Sequence, residues 1–296
     1  MAKIEHTEKS EGDSRRAFAR VNPVIYKVDG FAYETHKVTQ ENYRSLRRRF
    51  LPFEYVFDYE DSFFIHEKAV HNIRRGGEVI FARTLGRHPK DVGAVTQDVR
   101  IALIDGQEIK LLNIGVRSVL PEFQGRGIGA ELGKVGMIIH IPDIVTGMSR
   151  TWRIFRAYEK TGFIKETRPI GGPLTSIDQQ AFDQKLRPSE REKLDLRTGV
   201  YKDILPHAGI RRFIPPPNNI RGNEIYRKMK ELGVNPAEGD AIRYAAEVDK
   251  EALLAAIAAG YGRDAEIPPS TGLISAIKSL PRAIVAALRL QKYFVT

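Results

Sequence analysis

The chain has 296 residues, with 47 Lys and Arg against 37 Asp and Glu, a formal charge of +10, and no cysteine. Its 42% apolar and 28% charged residues are ordinary for a folded protein, and its length exceeds the usual ~100–200 residues of one domain. These values exclude disulfides, thiolate zinc sites and a cysteine nucleophile, and no apolar run reaches the ~18 residues of a membrane span.

Residues 1–20 read as a loose polar arm, too charged at the start for a secretory signal, so a cytoplasmic address is expected. Segments 24–27 and 31–37 have the β-branched and aromatic content of strands, and 40–50 reads as a helix with Thr39 as N-cap. Segment 53–64 interleaves aromatics with Asp58, Glu60 and Asp61, and aromatics at such irregular spacing fit core packing. Strand 78–84 follows, and 100–104 with 108–119 reads as a hairpin turned at Asp105-Gly106. His66 and His71 stand five apart, which turns them about 140° from each other on a helix. They cannot share a metal there, and no catalytic metal is expected.

The most informative stretch is 111–139, LLNIGVRSVLPEFQGRGIGAELGKVGMII. An apolar strand runs into Gln124, Gly125, Arg126, Gly127, Ile128 and Gly129, and a helix follows. Glycines let the backbone approach a ligand closely, and the free N–H groups of a first helical turn direct positive charge at an anion. The order fits neither the G-x-G-x-x-G dinucleotide fingerprint nor a Walker A loop. Gly129, Gly133 and Gly136 fall on one helix face, at about 1 kcal/mol each relative to alanine, so that face is expected against a strand or the ligand.

Q-G-R-G-I-G, preceded by Val119 and Pro121-Glu122-Phe123, resembles the acyl-CoA signature of the GNAT superfamily of N-acyltransferases. A strand at 144–148 and the segment 150–163, ending Y-E-K-T-G-F at 158–163, resemble that family's second motif. The resemblance covers roughly 25–170. It implies an α/β (α+β) fold, a GNAT-like mixed and mainly antiparallel sheet flanked by helices, with acetyl-CoA or another acyl-CoA as co-substrate. It further implies that Val119, Gln124, Gly125, Arg126, Gly127, Ile128, Gly129 and Ala130 bind that co-substrate, with the Val119 backbone on the pantetheine arm. Tyr158 is implied as the acid that protonates the departing thiolate. Thr151 stands where the family often has Asn, and the strand before the loop offers Asn113, Ser118 and, at its beginning, Glu108 where many members carry a basic glutamate.

Beyond residue 169 the resemblance stops. Helices are expected at 178–186, 190–196 and 221–232, a stiff break at 215–219, and an alanine-rich helix over 237–259. Segment 272–294 is basic and amphipathic, suited to core packing, a dimer interface or an anionic membrane surface. The expected organisation is an arm at 1–20, a GNAT-like unit at 21–172 and a mainly helical extension at 173–296. Three functions stand: an N-acyltransferase with an unidentified amine acceptor, a catalytically silent component of an assembly such as a virion, and a nucleic-acid-modifying acyltransferase. For the third, the basic clusters at Arg44 and 47–49, at Arg74-Arg75 and at Arg211-Arg212 would hold the polymer. The charge is nevertheless spread evenly, 27 basic against 22 acidic residues over 1–167 and 20 against 15 over 168–296.

Overall fold

A computed structural model describes residues 24–54, 77–183, 191–205 and 213–261. The aromatic segment beyond residue 54, His66 and His71, the arginine pairs at 74–75 and 211–212, and segment 272–294 lie outside the described residues.

Strands β1 (Val24–Val28) and β2 (Phe31–Lys37) form a hairpin through Asp29 and Gly30, whose φ angles of 49° and 82° are both positive. Such a two-residue turn matches the right-handed twist of its strands. β3 (Glu78–Thr84), β4 (Asp91–Ile104) and β5 (Gln107–Val119) continue the antiparallel run. The hairpin expected at Asp105-Gly106 forms, but β4 begins at 91 rather than 100, because cross-strand pairing with β3 holds its small and polar residues extended. Helix α1 (Tyr43–Glu54) starts later than expected. Thr39 N–H donates to Asn42 Oδ1 at 2.8 Å and Asn42 N–H to Thr39 Oγ1 at 3.4 Å, so 39–42 are spent on the entering turn.

Helix α2 (Ile128–His140), β6 (Ile144–Ser149), α3 (Trp152–Glu159) and β7 (Ile164–Arg168) follow. After them come α4 (Ser176–Asp183), β8 (Val200–Tyr201), α5 (Ile220–Glu231), β9 (Ala241–Val248) and α6 (Lys250–Ala258). The sheet order is β1-β2-β3-β4-β5-β6-β9-β7, with β8 also on β9, and β5 with β6 is the one parallel pair among these strands. The fold is thus a mixed, mainly antiparallel sheet flanked by helices.

Two expectations are corrected. Residues 237–259 do not make one helix, since 241–248 form β9, between β6 and β7, before Asp249 caps α6 by accepting from Ala252 N–H. Alanine favours helix, but small side chains also suit a strand buried on both faces, and tertiary pairing overrides propensity. The segment after residue 173 therefore supplies sheet as well as helices. Among described residues, 191 is helical but 192–196 carry turns and an isolated bridge between Leu194 and Tyr201 where the helix is expected to continue.

One sheet face packs on α2 and α3 through Leu112, Ile114, Leu132, Val135, Phe155, Tyr158 and Tyr244. On the other face, α1 buries Leu46, Phe50 and Phe53 against Phe81, while Phe182 of α4 covers the opposite end. Beside α1 lies an ion-pair network in which Arg49 bridges Glu34 (3.0 Å) and Asp91 (2.8 Å) and Arg83 meets Glu34 at 2.7 Å. Burial by itself would raise the Glu34 carboxyl, but hydrogen bonds from His36, Arg83 and Arg49 together take it down to about 2 from an ordinary 4.5. A depressed carboxyl stabilises the fold above its unfolded value and loses that contribution as pH falls through the folded one. Glu34→Gln should lower the urea midpoint at pH 7, and the gap to wild type should narrow as pH falls from 4.5 toward about 2. A gap independent of pH across that window would refute the assignment.

Candidate functional site

A bulge shapes the site. Residues Ile114 and Arg117 of β5 pair with Gln97 and Val95 of β4, so Gly115 and Val116 together oppose Thr96. Two residues against one bend the strand and increase its twist. Thr96 Oγ1 accepts from Val116 N–H at 2.9 Å, and a Cβ at position 115 would run into that same oxygen. On its other edge, β5 pairs with β6 only from Leu111 with Ile144 to Ile114 with Gly147. Beyond that point the strands part, and a groove of about 540 Å³ opens between 115–119 and 148–149.

The 3-10 turn Pro121–Phe123 carries the chain from β5 into the glycine loop. Gly125 and Gly127 both have φ of 83°, a conformation side chains rarely adopt, which accounts for glycine at these two places. Gly127 is the N-cap of α2, with Ala130 and Glu131 N–H both donating to its carbonyl. The first-turn N–H groups ahead of them have no intrahelical acceptor, so the dipole's positive end meets the groove. Val119, Gln124, Gly125, Gly127, Ile128, Gly129 and Ala130 all border it. Gln124 Nε2 donates to the Val119 carbonyl at 3.0 Å, which ties the loop to the strand end. Arg126 lies outside that lining, its guanidinium 5.1 Å from the Phe123 ring centre.

Tyr158 is placed differently from the other expected residues. It is fully buried, its hydroxyl is 3.0 Å from that of Tyr244 on β9, and it does not border the groove. The Arg117 guanidinium lies 4.7 Å from its ring centre. Burial raises the Tyr158 phenol above its ordinary value, against the opposing pull of Arg117 and the Tyr244 hydrogen bond. Thr151 is the N-cap of α3, accepting from Arg153 N–H at 3.4 Å. Asn113 donates to Asp98 at 2.7 Å.

Residues the sequence did not single out complete the walls. Arg117, Arg150, Arg153, Arg156 and Lys160 border the groove, and none of the described residues lining it is acidic. Arg153, Arg156 and Lys160 recur at i, i+3 and i+7, a helix-face spacing already present in the sequence. Arg150 lies 5.0 Å from the Phe213 ring centre, and Leu205 and Phe213, both after β8 in the chain, border the opening. A lining whose charged residues are all cationic, a helix N-terminus without a side-chain cap and αL glycines suit a polyphosphorylated ligand. Among described residues no group of three or more potential metal ligands exists, and no helix is long and apolar enough to cross a membrane.

No family model matches the chain, and no curated protein matches it with significance. Among solved structures it is similar to the NatC complex bound to Gag peptide and CoA, at 14% identity over 47% of this chain and 87% of that one, TM-score 0.34. Arabidopsis thaliana NAA60 in complex with a bisubstrate analogue gives 17%, 46% and 87%, TM-score 0.32. An aminoglycoside acetyltransferase from an uncultured soil metagenomic sample, in complex with trehalose, gives 18%, 44% and 86%, TM-score 0.33. Likeness this partial carries no inference about activity.

Tyr158→Phe removes the Tyr158–Tyr244 hydrogen bond and nothing from the groove lining. The expected result is a loss of about 1 kcal/mol in denaturant unfolding, with ligand affinity in the groove unchanged. A weakened affinity would show that the hydroxyl reaches the ligand after all.

Proposed function

We propose that the chain is an acyl-CoA-dependent N-acyltransferase that moves an acetyl or longer acyl group directly to an amine acceptor. The carrying observation is the groove itself, in which a helix N-terminus without a side-chain cap and a lining whose charged residues are all cationic meet where β5 and β6 part. In this reading Gly125, Gly127, Ile128 and Gly129 offer backbone N–H groups to the pyrophosphate, Ala130 borders the cradle with its own N–H on the Gly127 carbonyl, and Gln124 holds the loop in place. The unpaired edge of β5 from Gly115 to Val119 presents backbone groups to an extended pantetheine arm, as an open strand edge does. Arg153, Arg156 and Lys160 add charge for the remaining phosphate. A backbone N–H at the parted strands would stabilise the carbonyl oxygen as the amine attacks.

No carboxylate borders the groove among the described residues, so the acceptor amine arrives neutral or gives its proton to water. Tyr158 can serve as acid only if its hydroxyl turns from Tyr244. These two points favour, as a second reading, a GNAT-like binding component without catalysis. In either reading the unit at 21–172 is completed by β9, and the acceptor is left to a substrate screen.

Gly129 tests the cofactor site without backbone strain, because it sits in the first turn of α2 without a positive φ and a Cβ there meets only Val119, at 3.9 Å. Gly129→Asp puts a carboxylate in the cradle, where the helix dipole favours it, so stability should hold or rise. In calorimetric titration the wild type should bind acetyl-CoA and the variant should bind it at least about 100-fold more weakly, the equivalent of ~2.7 kcal/mol. Equal affinity would remove the ligand from this loop. Binding without turnover across an amine screen would leave the second reading standing.

A further inference from the structure

Arg117 is the one charged side chain in the groove wall that is buried, with 7% of its surface exposed. Its Nη1 donates to the Gly129 carbonyl at 3.1 Å and its guanidinium stacks on Tyr158, but Nη2 is buried without any hydrogen-bond partner. No carboxylate in the lining answers its charge. A buried cation left in this state is costly to the free protein.

The fold is nonetheless built to admit it. A Cβ on Gly133 would come within 2.7 Å of Arg117 Nη1, so the helix face at Gly133 is cut back to the space the guanidinium needs. Gly133 lies in the interior of α2, where glycine costs about 1 kcal/mol relative to alanine. Two unfavourable choices at one contact, an unpaired buried charge and helical glycine, are consistent with a ligand that supplies the missing anion.

We propose that Arg117 is an anion-receiving residue of the groove, taking onto Nη2 a negative group of the acyl donor, either a phosphate oxygen or the sulfur that departs as thiolate. The proposal rests on the acyl-CoA reading above and adds to it a residue outside the glycine loop. Bound donor would pair the guanidinium and relieve the cost borne by the free protein.

The test is calorimetric titration of CoA and desulfo-CoA into wild type, Arg117→Met, Arg117→Lys and Gly133→Ala, with melting temperatures of the free proteins. Arg117→Met should bind CoA roughly 10- to 100-fold more weakly, the size of a hydrogen bond to a charged group, while the free protein melts no lower than wild type. Arg117→Lys should recover part of the affinity. Gly133→Ala displaces the guanidinium while improving the helix, so it should also pair weaker binding with an unreduced melting temperature. An affinity loss seen equally with desulfo-CoA assigns the anion to phosphate, and a loss confined to CoA assigns it to sulfur. Unchanged affinity in Arg117→Met together with a lower melting temperature would make Arg117 a structural residue and overturn the proposal. Failure of the wild type to bind CoA at all would overturn the acyl-donor reading, and this proposal with it.

Discussion

The opposition of Gly115 and Val116 to the single residue Thr96 is the constraint on which the groove depends. Within a sheet, an interior strand satisfies its backbone by pairing along both edges. Here the extra residue bends β5 while its pairing with β4 continues to Val119, so the whole divergence falls on the β5–β6 side. The opening therefore sits inside the sheet rather than at its rim, and the glycine loop that leaves β5 arrives directly above it. Gly115 secures the geometry from below, because any Cβ there would push Thr96 out of the bond that closes the bulge.

Helix α2 is held to this opening by side chains that grow into it from the sheet. Its glycine face packs on Arg117 and Gln97, and Gln97 Nε2 in turn donates to Glu78, which pairs with His140 at 2.7 Å. The helix thus gives up intrinsic propensity to let polar side chains lie between it and the strands. The same face that costs helical stability places the N-terminal turn at the groove, so the two features are one arrangement.

The residues after 173 finish what the earlier ones begin. β9 stands next to β6, and its Tyr244 lies across Gly147, where a Cβ would collide with the tyrosine hydroxyl. That contact backs the point at which β5 and β6 separate and locks Tyr158 through the hydroxyl pair. Phe213, further along the extension, covers Arg150 at the mouth. The groove consequently has a floor and an outer wall contributed by segments far from its glycine loop in sequence.

The sequence by itself determined the elements whose signals are local. The loop's glycines at 125 and 127 mark positions of positive φ, the Asp105-Gly106 turn fixes its hairpin, and the stripe of Leu132, Val135 and Ile138 marks the buried face of α2. Arg153, Arg156 and Lys160 were legible as a helical stripe, though nothing local said which way it faces. Tertiary structure alone decided the rest. Whether alanine-rich 241–248 becomes strand or helix depends on an empty place between β6 and β7, which no window of residues reports. Whether Tyr158 faces ligand or core depends on Tyr244, 86 residues away, and on Arg117 lying over its ring. Propensity and turn chemistry act over a few residues and can be read along the chain, whereas burial, pairing and the charge left unpaired in a wall are properties of the neighbours that folding brings together.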